Sequence, residues 1–359
     1  MKRTRNAARR SALGAALMIA ALSGCDNVSW GGADVAVVPP PPKPRGVAGG
    51  DVETGATEPL PRGPVLYYVV RSGGQALLTP VAEIRGDSLR RIGSEGDARV
   101  YAGRLVAEHM RQGAEFDLFS RGVRVGTYVV RSARVPDQDH CPLLPVASGA
   151  LELSVAADSI MEFLALEKPH APQASPRAPN APQTLGRMRF VAPILAERML
   201  RARGAQLPAN WQAAMEQVAA FPASGRADAG FAATFLVGDT LGPGLDDEGY
   251  ALFFLAMPTA SQTGWDTVYV DYREYPRTKK AAPRVIDYLD WTRDDQVELL
   301  VQVFGTRATW FEAIGRDPQG RWRSLFSDRC DEGGRPSLVP AMPLPAALPP
   351  DTALPGSRP

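Results

Sequence analysis

Three cysteines and three histidines among 359 residues leave little material for metal or nucleophile chemistry. The histidines, His109, His140 and His170, form no His-Glu-x-x-His pair, so the zincin spacing is excluded. The chain also has no Gly-x-Ser-x-Gly elbow, no Ser-x-x-Lys pair and no Gly-x-x-x-x-Gly-Lys cradle, which removes the motif-based routes to serine hydrolases and phosphate-binding loops. Asp139-His140-Cys141 sets three catalytic residue types side by side, but neighbouring side chains on extended backbone point apart. After residue 24 no apolar run approaches the roughly 18 residues that a membrane-spanning helix needs. Charge of one sign is missing too. Lys2, Arg3, Arg5, Arg9 and Arg10 crowd the first ten positions, and without those five the 40 Lys and Arg fall to 35 against 39 Asp and Glu. A balance near −4 offers no concentrated basic surface, so no nucleic-acid partner is expected.

The amino terminus does carry information. Five positive charges and no acid precede a short apolar run, Ala12 to Leu22, which reads as an export signal rather than a stable span. It ends Leu22-Ser23-Gly24-Cys25: an aliphatic residue, two small residues, then cysteine. This tetrapeptide resembles the lipobox of bacterial lipoproteins at every position. The resemblance implies a leader at 1–24, cleavage between Gly24 and Cys25, diacylglycerol on the Cys25 sulfur and an acyl chain such as palmitate on its amine. Two or three chains anchor stably where one does so only marginally. The implied partner is a membrane, the implied location extracytoplasmic. Asp26 resembles the inner-membrane retention signal of enteric lipoproteins.

Proline then divides the chain. Residues 25–61 are rich in Gly, Pro, Ala and Val, with Pro39-Pro40-Pro41-Pro42-Lys43-Pro44 favouring extended polyproline II, and read as a disordered tether. Residues 169–184 hold Pro169, Pro172, Pro176, Pro179 and Pro182 and read as a linker, and 331–359 as a disordered tail. Between them lie 62–168, a β-rich domain, and 185–330, a helical pair followed by a second β-rich domain. The expected class is mainly β with some α (α+β), in antiparallel sheets.

In the first domain strands are expected at 65–70, 76–84, 115–119 and 123–130, with 149–155 and 160–166 as a further pair. Val100, Leu105, Val106 and Met110 mark one helix, stopped near Gly113. In the second, Val191, Leu195 and Met199 recur every four residues, with Pro193 placed in the first turn; a second helix starts at Pro208 and carries Trp211, Met215 and Val218. Strands follow at 231–237, 250–256, 267–272, 285–289, 297–304 and 310–315.

With Cys25 assigned to lipid, two thiols remain, Cys141 and Cys330. In an exported chain their default is a disulfide. For chemistry, Asp290, Asp294 and Glu298 occupy the first, fifth and ninth places of a loop entering an apolar strand. The segment resembles the calcium loops of FG-GAP and integrin-type repeats, Asp-x-Asp-x-Asp-Gly, in which alternate oxygens turn toward a hard cation. Thr292 stands where the second aspartate would be and Asp295 where glycine would be, which implies a loop shape retained with calcium affinity weakened or lost. Leu245-Asp246-Asp247-Glu248-Gly249 reads as ordinary acidic surface. Trp265, Tyr269, Tyr272 and Tyr275 near Arg273 and Arg277 could mark a partner surface or fill a core. No catalytic residue is picked out. The expected function is a membrane-anchored binding or envelope-structural module with an envelope protein as partner; the alternatives are an anchored hydrolase using carboxylates, or a calcium-dependent adhesion-like module.

Overall fold

The computed structural model describes residues 58–330 except 73–74, 94–95, 138–140, 171–181, 224–228, 243, 245–247 and 262–263. Cys25, Asp26, the leader, the tether, the tail, His140 and most of the 245–249 loop lie outside the described residues. Strands make up about half of the chain, few residues are helical, and every sheet pairing is antiparallel.

The first seven strands are β1 (Val65–Ser72), β2 (Gln75–Arg85), β3 (Ser88–Arg91), β4 (Glu115–Ser120), β5 (Val123–Arg134), β6 (Val146–Leu153) and β7 (Glu162–Glu167). Their order is β1-β7-β4-β5-β6-β2-β3, and a further β1–β2 pairing closes six of them into a barrel-like sheet with β3 appended. Closure removes the free edges that an open sheet would expose. Side-chain alternation explains why Val65–Val70 is an unbroken apolar run. Val65, Tyr67 and Val69 fill the barrel interior with Phe116, Leu118, Tyr128 and Phe163, whereas Leu66, Tyr68 and Val70 join an outer cluster. A strand buried on both faces needs no polar residue. Helix α1 (Ala98–His109), capped by Asp97, contributes Tyr101 and Leu105 to the interior. Inside, the Tyr128 hydroxyl donates to Ala147 O at 3.0 Å. Gly149 sits so close that a Cβ there would meet Val129 O at 2.4 Å and the Tyr128 ring at 2.5 Å.

The other strands form two four-stranded sheets. One has the order β11 (Trp265–Glu274), β10 (Tyr250–Pro258), β9 (Ala229–Val237), β8 (Met215–Pro222); the other runs β12 (Ala282–Leu289), β13 (Glu298–Phe304), β14 (Thr309–Arg316), β15 (Trp322–Ser327). Their facing side chains share one core with helix α2 (Pro182–Ala202), which buries Met188, Ala192, Leu195, Ala196 and Leu200. The β12–β15 sheet is covered on both sides. Leu299, Val301 and Val303 face the β8–β11 sheet, whereas Leu289, Leu300, Phe311 and Phe326 pack on the outside of the barrel. All of β13 is buried as a result. Every element described lies within one compact unit, Thr54–Pro359.

Three expectations are corrected. The helix expected from Pro208 is a short 3₁₀ turn, Trp211–Ala214, leading into β8, so a single long helix stands in place of the expected helical pair; Val218 and its neighbours pair with β9 instead. Pro193 lies inside α2 rather than in its first turn, because the helix begins at Pro182. The expected 149–155 and 160–166 pair is not formed: β6 pairs with β2 and β5, and β7 with β1 and β4, as barrel closure requires. The sequence pattern marks no strand at β3 or β15, whose segments SLRR and WRSLFS lack a continuous apolar run.

Candidate functional site

Cys141 and Cys330 are disulfide-bonded, with Cα atoms 5.8 Å apart and a separation of 189 positions in sequence. The bond joins the loop before β6 to the segment after β15. Beside it, the guanidinium of Arg91 on β3 donates to Arg329 O and Ser327 O. The segment after β15 is therefore tied to the barrel twice, covalently to the loop before β6 and by hydrogen bonds to the appended strand β3.

The acidic loop follows β12. Carboxylate oxygens of Asp290, Asp294 and Glu298 lie within 4.8 Å of one another, with Asp290 and Glu298 buried and Asp294 exposed. Backbone geometry supplies the turn without glycine, since Arg293 and Asp295 adopt φ of 63° and 62°. Asp290 accepts the N–H groups of Asp294 and Asp295, both at 3.1 Å. Glu298 accepts the Trp291 N–H at 3.1 Å and the Thr292 hydroxyl at 2.6 Å. Thr292, the residue that departs from the calcium pattern, thus takes a structural bond. Burial first, then the Asp290 charge, pushes the Glu298 carboxyl up to about 8, and burial raises Asp290 as well. Three carboxylates would reach the six or more oxygens that calcium takes only if every one bound through both oxygens. The hydrogen bonds within the loop already engage both oxygens of Asp290 and of Glu298.

The aromatic cluster divides. Trp265 meets Phe231 edge-on at 4.7 Å, Tyr269 meets Phe253 and Tyr272 meets Tyr250; the three are half-buried and pack against the core, with Tyr269 and Tyr272 on opposite faces of their sheet. Tyr275 is buried and donates to Asp239 at 2.6 Å. Arg273 is bound by Asp271 and Glu312, and that pairing raises its already high pKa. Packing therefore accounts for these residues. Arg277 alone is exposed, in an i,i+3 pair with Glu274.

One groove was not legible in the sequence. It encloses about 570 Å³ where the β4–β5 hairpin tip, the 154–162 segment and β12 meet. The two-residue turn Arg121-Gly122 has φ of 51° and 74°, the left-handed pair that a tight hairpin of this kind requires. Arginine is unusual at such a position, and Asp287 of β12 holds it there: both carboxylate oxygens accept the Arg121 N–H, at 2.8 and 2.9 Å. Oδ1 also accepts the Tyr288 N–H at 2.8 Å. Burial drives Asp287 up to about 6, against the pull of these N–H groups and of the Ser120 hydroxyl. Across the groove Glu162 takes a bidentate pair from Arg284, at 2.6 and 2.7 Å, and the Tyr68 hydroxyl. Burial opposes its ionisation, but the Arg284 pair wins and lowers its pKa. Arg121, Arg124, Ser154, Ser159, Val125 and Ile160 also line it, Arg124 being paired with Asp117 at 2.7 Å and bonded to Thr127. Such a lining suits a hydroxyl-rich or anionic group.

Comparison with known proteins brings no family to this arrangement: no protein-family model, no curated protein and no solved structure matches the chain.

Proposed function

We propose that the chain is a lipoprotein held by Cys25 on the extracytoplasmic face of a bacterial membrane, and that its folded body is a binding module rather than an enzyme. The observation that carries this reading is the Cys141–Cys330 bond. Structural disulfides belong to oxidising compartments, and this one uses both cysteines of the body, leaving the lipobox cysteine as the third. The groove beside Asp287 is the surface that the binding role would use, taking a polar envelope component against Arg121, Arg124 and the serine hydroxyls. The test is fractionation. The protein should stay with membranes after high-salt washing and leave only with detergent, whereas Cys25→Ser should appear in the soluble extracytoplasmic fraction. Release of the unaltered protein by salt refutes the anchor.

One observation favours a second reading, an anchored hydrolase. Glu162 and Asp287 line the same groove with ionisation pushed in opposite directions, the pattern of an acid–base pair. Against it, Glu162 is fully engaged by Arg284 and Asp287 by backbone N–H groups. Turnover of an envelope glycan or ester that disappears in Glu162→Gln would favour the hydrolase.

A further inference from the structure

Helix α2 buries one face in the core and, among the described residues, exposes the other. Phe190 is 73% exposed and Ile194 50%, one turn apart on the open side. At 3.6 residues per turn, Arg187, Arg198 and Arg201 fall on the same side, flanking the two apolar residues along the helix. Arg189 and Arg203 are exposed at its borders, and Glu197 is the only acid on the helix. Glu197 is taken by Arg201 at 2.7 Å, and Arg203 lies over the Tyr272 ring. Arg187, Arg189 and Arg198 form no ion pair among the described residues. Elsewhere the chain has nearly balanced charge. Solvation alone explains exposed arginines; it does not explain a phenylalanine and an isoleucine set among them. Single exposed apolar side chains are ordinary, whereas an apolar pair ringed by arginine is the surface an amphipathic helix lays on lipid.

We infer that the exposed face of α2 docks on an anionic lipid surface, with Phe190 and Ile194 entering the headgroup boundary while the arginines meet lipid phosphates. This rests on the reading that the body works beside a membrane, and it turns a loose tether into a second attachment that fixes how the body faces the bilayer. The stable lipid anchor raises the effective concentration of this weaker, reversible contact at the bilayer.

The test uses the chain from residue 25 to 359 with Cys25→Ser, which keeps the whole body but has no thiol to carry lipid. Its co-sedimentation is measured with vesicles of phosphatidylcholine alone and of phosphatidylcholine with one third phosphatidylglycerol. Binding is expected to the anionic vesicles only and to weaken with salt. Arg187→Gln and Arg198→Gln should each reduce it about fivefold, the strength of one basic residue at an anionic surface. Phe190→Ser should reduce it about tenfold. All three positions are exposed, so thermal melts should match the parent and separate lost binding from lost fold. Equal binding to neutral vesicles, no binding to either, or binding unchanged by the three substitutions overturns the inference. So does a concentration-dependent dimer that Phe190→Ser abolishes, which would assign the face to a second copy. Because Cys25 is replaced, failure here leaves the lipid anchor standing, and an unlipidated Cys25 in cells leaves this binding standing.

Discussion

Asp287→Asn isolates the contact that joins the barrel hairpin to the β12–β15 sheet. Asp287 is buried, and its carboxyl is raised from 3.8 to about 6 in the folded protein. Between roughly pH 4 and 6 the folded chain keeps a proton that the unfolded chain has lost, so stability falls as pH rises through that window. A shift of about two units corresponds to about 3 kcal/mol at about 1.4 kcal/mol per unit. Asparagine should mimic the protonated acid. Its carbonyl can accept the Arg121 and Tyr288 N–H groups as Oδ1 does, and its amide can donate to the Ser120 hydroxyl, which is free to reverse. The expected result is a stability advantage of the variant over the parent that grows by about 3 kcal/mol from pH 4 to pH 7. Asp287→Ala should run parallel to Asp287→Asn but about 1 to 3 kcal/mol below it at every pH, because the Arg121 N–H of a left-handed residue is left without its acceptor. The assay is urea denaturation at half-unit pH steps. Parallel pH curves for parent and Asp287→Asn would refute the account of this carboxyl.

Cys141→Ser with Cys330→Ser should cost up to about 5 kcal/mol, the loop-closure value for so long a connection, read as a lower urea midpoint; an unchanged midpoint would show that the bond adds nothing to the fold. Gly149→Ala should destabilise by about 1 to 3 kcal/mol, since its Cβ would strike the Val129 carbonyl and the Tyr128 ring, and a neutral result would mean that the barrel wall is looser than these distances imply. Calcium or a chelator should leave the melting temperature unchanged, because Asp290 and Glu298 are already committed to hydrogen bonds within their own loop; a rise of several degrees with calcium would show that the loop holds the ion.

Much of the fold was legible because strands buried on both faces advertise themselves. The Val65–Val70 run, the hairpin around Arg121-Gly122 and most strands after residue 229 follow from apolar runs punctuated by turn residues. The sequence misleads where one pattern serves two structures. Trp211, Met215 and Val218 have helical spacing, yet from Met215 onward the chain supplies the edge strand beside β9, a tertiary demand that local spacing does not reveal. Strand partners are equally hidden, since barrel closure sets β6 and β7 against distant neighbours. The acidic loop was found because its carboxylates are close in sequence. The groove was missed because Ser120, Ser154, Glu162 and Asp287 come from three separate segments. No spacing rule reaches across 166 residues to place Asp287 under the Arg121 N–H.

The central claim is that Cys25 carries lipid while the other two cysteines carry a bond to each other. Intact mass of the protein extracted by detergent from its native membrane, before and after thiol alkylation, addresses both parts at once. The account expects a chain beginning at Cys25, heavier by diacylglycerol and one further acyl group, with no alkylatable thiol until it is reduced. A retained leader, an amino terminus bearing no fatty chain, or two free thiols at Cys141 and Cys330 would contradict it.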